Sequence, residues 1–312
     1  MSPRLAFLLT LPPLMWAGNA VIGRLMVGYA PPVLLNLIRW CGALLLLLPL
    51  GWRAFGTRER RAEVRARWPH LALLGLLGVG MYNAMQYMAL RTSTPLNVTL
   101  IAASMPLWMM MTGLLLFRVR PGPRDLLAAA LSLAGVVAVL TRGHPLSLRE
   151  IELVPGDLLI VVAVACWSAY SWLLARPPAS MRGAQRPQWN WAEFLLVQVV
   201  FGIAWAGAGA AIEAATLARD DETLRWGWPL ALALVYLATC PSLIAYYAWG
   251  AGVARAGPAM AALFSNLTPL LTALISGAVL GDWPQPYHLL AFALIVSGIM
   301  SSALKRRQPA TA

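Results

Sequence analysis

The chain alternates between long apolar runs and short polar interruptions. A helix needs ~20 mostly apolar residues to cross a bilayer core. On that measure ten stretches qualify, roughly 5–27, 32–52, 70–91, 95–117, 124–141, 156–176, 192–213, 228–253, 258–281 and 286–304. Only 53–69, 142–155, 177–191 and 214–227 read as loops, and none can hold a further domain. The pattern predicts an all-α membrane protein of ten transmembrane helices. The first run opens like a signal peptide, with Arg4 ahead of it and Ala17-Gly18-Asn19-Ala20 inside it. It continues past that point, so it is expected to stay as a span.

Composition agrees. Of 312 residues, 60% are hydrophobic and 12% charged, against roughly 45–50% and 25% in soluble domains. That excludes a disordered chain, a collagen and a disulfide scaffold. Cys41, Cys166 and Cys240 lie inside apolar runs without partners in sequence and read as small buried hydrophobes. The net charge of +12 raises the question of nucleic acid. The basic residues sit between apolar runs, however, where they report topology, so no nucleic-acid partner is expected. With the termini and the loops after even-numbered spans on one side, that side holds seventeen basic residues and the other six. Both termini are therefore expected in the cytoplasm, with the chain in a bacterial inner membrane.

Residues 95–135 align with 258–298 at a constant offset of 163, with twelve identities. Pro95, Pro106, Pro121, Pro123 and Gly135 meet Pro258, Pro269, Pro284, Pro286 and Gly298. Near the start of each half, Trp16 and Trp167 correspond at an offset of 151, the difference falling in the longer 177–191 loop. The chain thus reads as two five-helix repeats, 1–141 and 156–304, joined by 142–155. Five is odd, so the second copy enters the membrane inverted, a plan typical of secondary transporters with a midplane site between the halves.

Several features carry a family resemblance: Trp16-Ala17-Gly18-Asn19, Arg39-Trp40, Ala89-Leu90 ahead of Thr92-Ser93, and the repeated mid-span proline followed by a Pro-x-Pro turn. On these the chain resembles the EamA-type branch of the drug/metabolite transporter superfamily over nearly its whole length. Within that branch it is similar to bacterial exporters of amino acids and other metabolites. Small four-span relatives carry an essential Glu where this chain has Ala20, in Asn19-Ala20-Val21-Ile22-Gly23. A proton relay of that kind is therefore not expected.

Polar side chains inside a span cost free energy unless they meet partners or water. Each cluster has two readings, a substrate cavity or hydrogen-bonded packing between helices. Tyr82, Asn83, Gln86 and Tyr87 form a broad polar face on the third span, and Tyr246, Tyr247 and Trp249 occupy the repeat position on the eighth. Trp16 and Asn19 lie near mid-depth on the first span, as do Trp167, Tyr170 and Ser171 on the sixth. Trp52, Trp68, Trp226, Trp228 and Trp283 sit at span ends and fit an interfacial belt. Trp108 and Asn266 flank Pro106 and Pro269, whose missing N–H groups make kinks that either shape a cavity and act as hinges or are simply tolerated. Arg39 lies deep in the second span, where it either snorkels outward, serves folding or meets a substrate carboxylate.

No Asp or Glu lies mid-span, and nothing resembles a metal site, a Walker loop or a catalytic triad. An enzyme is therefore not expected, and neither cofactor nor metal. The expected activity is alternating-access export of a small amphipathic metabolite. Amino acids, aromatic or bulky neutral ones included, are the preferred class. Export of drugs or other metabolites and a nucleotide-sugar or channel-like facilitator are the alternatives. Substrate and lipid are the expected partners, the protein being a monomer or homodimer. The expected site is Trp16, Asn19, Arg39, Tyr82, Gln86, Trp108, Trp167, Tyr170, Ser171, Tyr246, Trp249 and Asn266, with hinges at Pro106 and Pro269.

Overall fold

The structure, a computed structural model, describes residues 3–120, 122–141, 143, 154–216, 224–256 and 264–303, and among these every regular element is helical. Most of 142–155 and residues 217–223 of the 214–227 stretch, together with Pro121, Pro258 and the start of the ninth expected span, lie outside the described residues. We label the helices α1 (Pro3–Leu25), α2 (Pro32–Gly51), α3 (Arg58–Ala66), α4 (Trp68–Leu74), α5 (Tyr82–Ala89), α6 (Pro95–Ala102), α7 (Met105–Phe117), α8 (Pro123–Leu140), α9 (Pro155–Ala175), α10 (Trp191–Thr216), α11 (Trp228–Thr239), α12 (Ala245–Ala256), α13 (Leu267–Leu280) and α14 (Pro286–Ala303). Seven helical runs are long and apolar enough to cross a membrane: Pro3–Leu25, Pro32–Phe55, Trp68–Ala89, Pro95–Phe117, Pro155–Ala175, Trp191–Thr216 and Trp228–Gly252. Ala129–Val139, Leu267–Leu280 and Pro286–Gly298 are apolar but shorter.

Packing pairs α2 with α10, α8 with α14, α5 with α9, and α1 with both α12 and α13. Leucines such as Leu45, Leu115, Leu232 and Leu289 point outward and leave the bundle with an apolar exterior. The five span-end tryptophans are all exposed, as an interfacial belt requires.

Hydrogen bonds sort the connections onto two ends of the bundle. Arg60 donates to the Gln188 carbonyl, and Arg67 to those of Ser180 and Gln185, so the 53–69 and 177–191 connections share one end. That first connection is not a bare loop: it folds as α3, capped by the Thr57 side chain on the Arg60 N–H. At the other end the Arg225 N–H donates to the Tyr29 carbonyl, Ser93 to Asp157 at 2.5 Å, and the Gly156 N–H to Thr92. The same grouping follows from the sequence topology.

The helices facing the centre are broken. A π-helical segment, Gly75–Met81, separates α4 from α5, and a second, Cys240–Ile244, separates α11 from α12. Shifted back by 163 positions, the second falls on 77–81, inside the first. The causes differ. Gly75 and Gly78 lack a Cβ that would strike the backbone of α10 and the Tyr170 ring respectively. Pro241 has no N–H, and the Ser242 hydroxyl donates instead to the Leu237 carbonyl at 2.7 Å. Likewise α6 and α7 part at Ala103–Ser104, just before Pro106, and the turn at Asn266 precedes Pro269. Further on, α7 and α13 both end on a left-handed residue, Arg118 (φ 52°) and Gly281 (φ 75°), again 163 positions apart.

Candidate substrate cavity

A central cavity of about 40 Å³ lies where these breaks converge. Its walls include Trp16 of α1, Tyr82, Asn83 and Gln86 of α5, Trp167 of α9 and Tyr246 of α12. Val98, Thr99, Ala102, Ala103, Met105, Ser265 and Thr268 complete the lining. Lining residues fall into pairs at the sequence offsets: Trp16 with Trp167, Asn83 with Tyr246, Ala102 with Ser265, Met105 with Thr268. The free space holds about three waters at roughly 10–15 Å³ each, so anything larger enters only when the walls part.

Aromatic rings close it. Trp16 meets Trp167 edge-on at 5.7 Å and Trp249 at 5.4 Å. Trp167 also contacts Tyr82 at 5.0 Å, Tyr170 at 4.9 Å and Tyr246 at 5.5 Å. Such pairs contribute ~0.5–1.5 kcal/mol beyond buried area, which is small enough for the cluster to rearrange.

Behind the aromatic wall lies a polar network centred on Arg39, which is only 1% exposed. Its Nε donates to Ser242 Oγ at 2.7 Å, and its Nη1 to Asn83 Oδ1, Tyr87 OH and Asn19 Oδ1 at 2.8, 2.7 and 3.2 Å. The guanidinium carbon sits 5.2 Å from the Trp40 ring and 5.8 Å from that of Tyr87. Asn19 Nδ2 passes the chain on to Gln86 Oε1 at 3.1 Å. Nearby, Asn36 Nδ2 donates to the Val79 carbonyl at 2.9 Å, and the Tyr246 hydroxyl to that of Gly78 at 2.6 Å. Cross-helix side chains thus serve carbonyls of the irregular Gly75–Met81 turn.

Of the residues expected from sequence, Trp16, Tyr82, Gln86, Trp167 and Tyr246 line the cavity. Asn19 and Trp249 touch lining residues from behind. Arg39 neither snorkels nor reaches the cavity; it lies beneath Asn83. Tyr170 packs at a tilt against Trp167 and sends its hydroxyl to Gln198 Oε1, 3.1 Å away. Ser171 bonds back to the Trp167 carbonyl, while Trp108 packs against the core without lining the space. Asn266 is buried beside the lining residue Ser265. Asn83, Thr99, Met105, Ser265 and Thr268 join the site; all but Thr99 and Met105 lie in polar clusters visible in the sequence.

Among the described residues no group of three or more potential metal ligands comes together. None of the lining residues is charged.

Comparison with known proteins places this architecture. An uncharacterized transporter of Archaeoglobus fulgidus is 25% identical over 99% of this chain and 100% of its own. The inner membrane transporter YedA of Escherichia coli, also uncharacterized, is 25% identical over 92% of this chain and 86% of its own. The aromatic amino acid exporter YddG of Ancylobacter novellus is 28% identical over 78% and 79%. A crystal structure 24% identical covers the whole of both chains at a TM-score of 0.65, which matches the fold. The profile of the EamA-like transporter family fits residues 4–141 and again 154–304. The chain is a multi-pass membrane transporter and belongs to the EamA-like transporter family.

Proposed function

We propose that this transporter exports amino acids, bulky apolar and aromatic ones included, by alternating access around the central cavity. Ten transmembrane helices, arranged as inverted repeats 1–141 and 156–304, form the machine in this reading. Both termini face the cytoplasm of a bacterial cell. Support comes from the twofold match of the family profile, the paired π-helical segments and the paired lining residues. The observation that carries the substrate class is the cavity wall, four aromatic side chains beside two amides, Asn83 and Gln86. Apolar walls with few orienting polar groups suit an amphipathic metabolite. A phosphorylated sugar would need several cations, and none lines the space. The one relative named for a substrate among those above exports aromatic amino acids. Without an acidic lining residue, flux runs by facilitated diffusion or exchange and not through a titrating carboxylate.

Purified protein in liposomes, offered a panel of amino acids, nucleotide sugars and cationic drugs, tests the reading. Saturable, counter-substrate-stimulated amino-acid flux is expected. Trp167→Ala and Gln86→Ala should each lower it while folded protein persists. Normal transport by both variants would remove the cavity from the mechanism.

A further inference from the structure

A guanidinium can only donate hydrogen bonds. The acceptors around Arg39 must therefore turn oxygen toward it, and this fixes the orientation of every amide in the network. Asn19 presents Oδ1 to Arg39, so its Nδ2 faces away and donates to Gln86 Oε1 at 3.1 Å. Gln86 then holds Nε2 as the outward end of the relay, with no hydrogen bond among the described residues. Asn83 also presents Oδ1 to Arg39, at 2.8 Å. Its Nδ2 makes a long 3.5 Å bond to the Gly78 carbonyl and lies against the Tyr246 hydroxyl, which itself donates to that carbonyl at 2.6 Å. A third donor, the indole Nε1 of Trp167, is buried with no partner among the described residues. Asn83, Gln86 and Trp167 all line the cavity.

The charge behind these donors is uncompensated. Arg39 forms no ion pair among the described residues, and all four of its acceptors are neutral. In a low-dielectric interior an unpaired cation raises the potential of its surroundings and polarises each amide it holds. A buried positive charge, two N–H donors without partners among the described residues and a third held by a long, replaceable bond are complementary to an anion and hostile to an ammonium.

We infer that the cavity is a carboxylate site. Asn83 Nδ2, Gln86 Nε2 and Trp167 Nε1 receive the substrate's carboxylate, Arg39 acts through the amides as a positioning residue, and an α-amino group is not required. This rests on the reading of the cavity as the substrate site and narrows it to carboxylates attached to an apolar body.

The test is direct binding to the purified full-length protein with three probes: L-phenylalanine, 3-phenylpropionate, which lacks the amino group, and 2-phenylethylamine, which lacks the carboxylate. The two carboxylates should bind with similar affinity and the amine more than about tenfold more weakly, as expected where a polar site loses its matching group. Asn83→Asp keeps an oxygen on Arg39 and supplies the missing counter-ion. It should fold with an unchanged or higher melting temperature, weaken both carboxylates by more than about tenfold and strengthen the amine. Gln86→Glu, which keeps the bond from Asn19, should act in the same direction and serves if Asn83→Asp fails to fold. Arg39→Gln, which removes the charge, should narrow the gap between acids and amine in whatever protein folds; a purely structural role for Arg39 would lower stability and leave that selectivity unmoved. An amine that binds as tightly as the acids, or a folded Asn83→Asp with unchanged carboxylate affinity, overturns the inference and leaves amino-acid transport standing. Binding of 3-phenylpropionate without L-phenylalanine supports the carboxylate site and overturns the amino-acid reading. Binding of none of the three overturns both.

Discussion

Helix α2 carries Arg39 and Asn36, yet its own N-terminus has no local cap. It begins at Pro32 after Pro31, and neither proline offers a side-chain acceptor. The acceptor comes instead from α10: Glu213 Oε1 takes the Val33 N–H at 2.9 Å and Oε2 takes the Leu34 N–H at 2.8 Å. Both bonds are charge-assisted, and the carboxylate also sits at the positive end of the helix. Glu213→Gln keeps one acceptor oxygen but turns an NH2 group toward the second N–H. One charge-assisted bond is worth ~1.5–3 kcal/mol and the terminal charge ~0.3–1 kcal/mol. Glu213 is half-buried, so the lower parts of these ranges apply, and the expected loss is about 2–3 kcal/mol. That is roughly a 30- to 140-fold shift in the unfolding equilibrium, at 1.4 kcal/mol per tenfold. Reversible denaturation in mixed micelles reads it. Asn36 and Arg39 lie one to two turns from the cap, so the variant should also weaken substrate binding. Stability within about 0.5 kcal/mol of the parent, the range of an ordinary surface change, would refute the account of how α2 is held.

Arg118 is exposed and left-handed at the end of α7. That conformation costs roughly 1–2 kcal/mol for a residue with a side chain, so Arg118→Gly should stabilise by about 1 kcal/mol in the same assay. At Gly75 an added Cβ would lie 2.7 and 2.8 Å from the Gly202 nitrogen and the Gln198 carbonyl oxygen, atoms of the α10 backbone. Gly75→Ala should destabilise by ~1–3 kcal/mol and lower the yield of monodisperse protein. In a background lacking the three native cysteines, Arg225→Cys should label from outside intact cells and Ala184→Cys only after lysis. The reverse pattern would invert the proposed topology.

Hydropathy made the helical runs legible, and depth within a run separated the partly buried Trp16 and the buried Trp167 from the belt tryptophans. What stayed hidden was where each polar face points. Asn83 and Tyr87 share a stripe on α5, yet Asn83 meets the cavity while Tyr87 is spent on Arg39 and Asn19. That division depends on Arg39, which belongs to another helix. Ser171 looked available because its position shares a face with Trp167, but a serine inside a helix can return its hydroxyl to the carbonyl four residues back, as Ser171 does. Trp108 sits beside Pro106 in sequence, but adjacency to a kink does not determine which side of the kink a ring occupies. The α3 helix went unread because its residues are charged and a search for apolar runs passes over them.

The paired π-helical segments show how two stretches 163 positions apart reach the same local geometry by different chemistry. Gly75-Leu76-Leu77-Gly78-Val79-Gly80 and Cys240-Pro241-Ser242-Leu243-Ile244 share almost nothing as strings. One bulges where glycines let helices approach at the backbone, the other where a proline withholds an N–H. Each frees carbonyls that polar side chains then serve: Asn36 and Tyr246 on the first segment, Ser242 at the second. Arg39 bonds to Ser242 at one end of this arrangement and to Asn83, just past the other bulge, at the other. The guanidinium therefore ties the two irregular turns together across the centre of the bundle. On the proposed alternating-access reading, a motion that separates residues 1–141 from 156–304 must give up the Arg39–Ser242 bond, the Tyr246–Gly78 bond, or both. These bonds lie directly behind the cavity wall, so in the proposed mechanism opening the site and releasing the two bulges are one mechanical event.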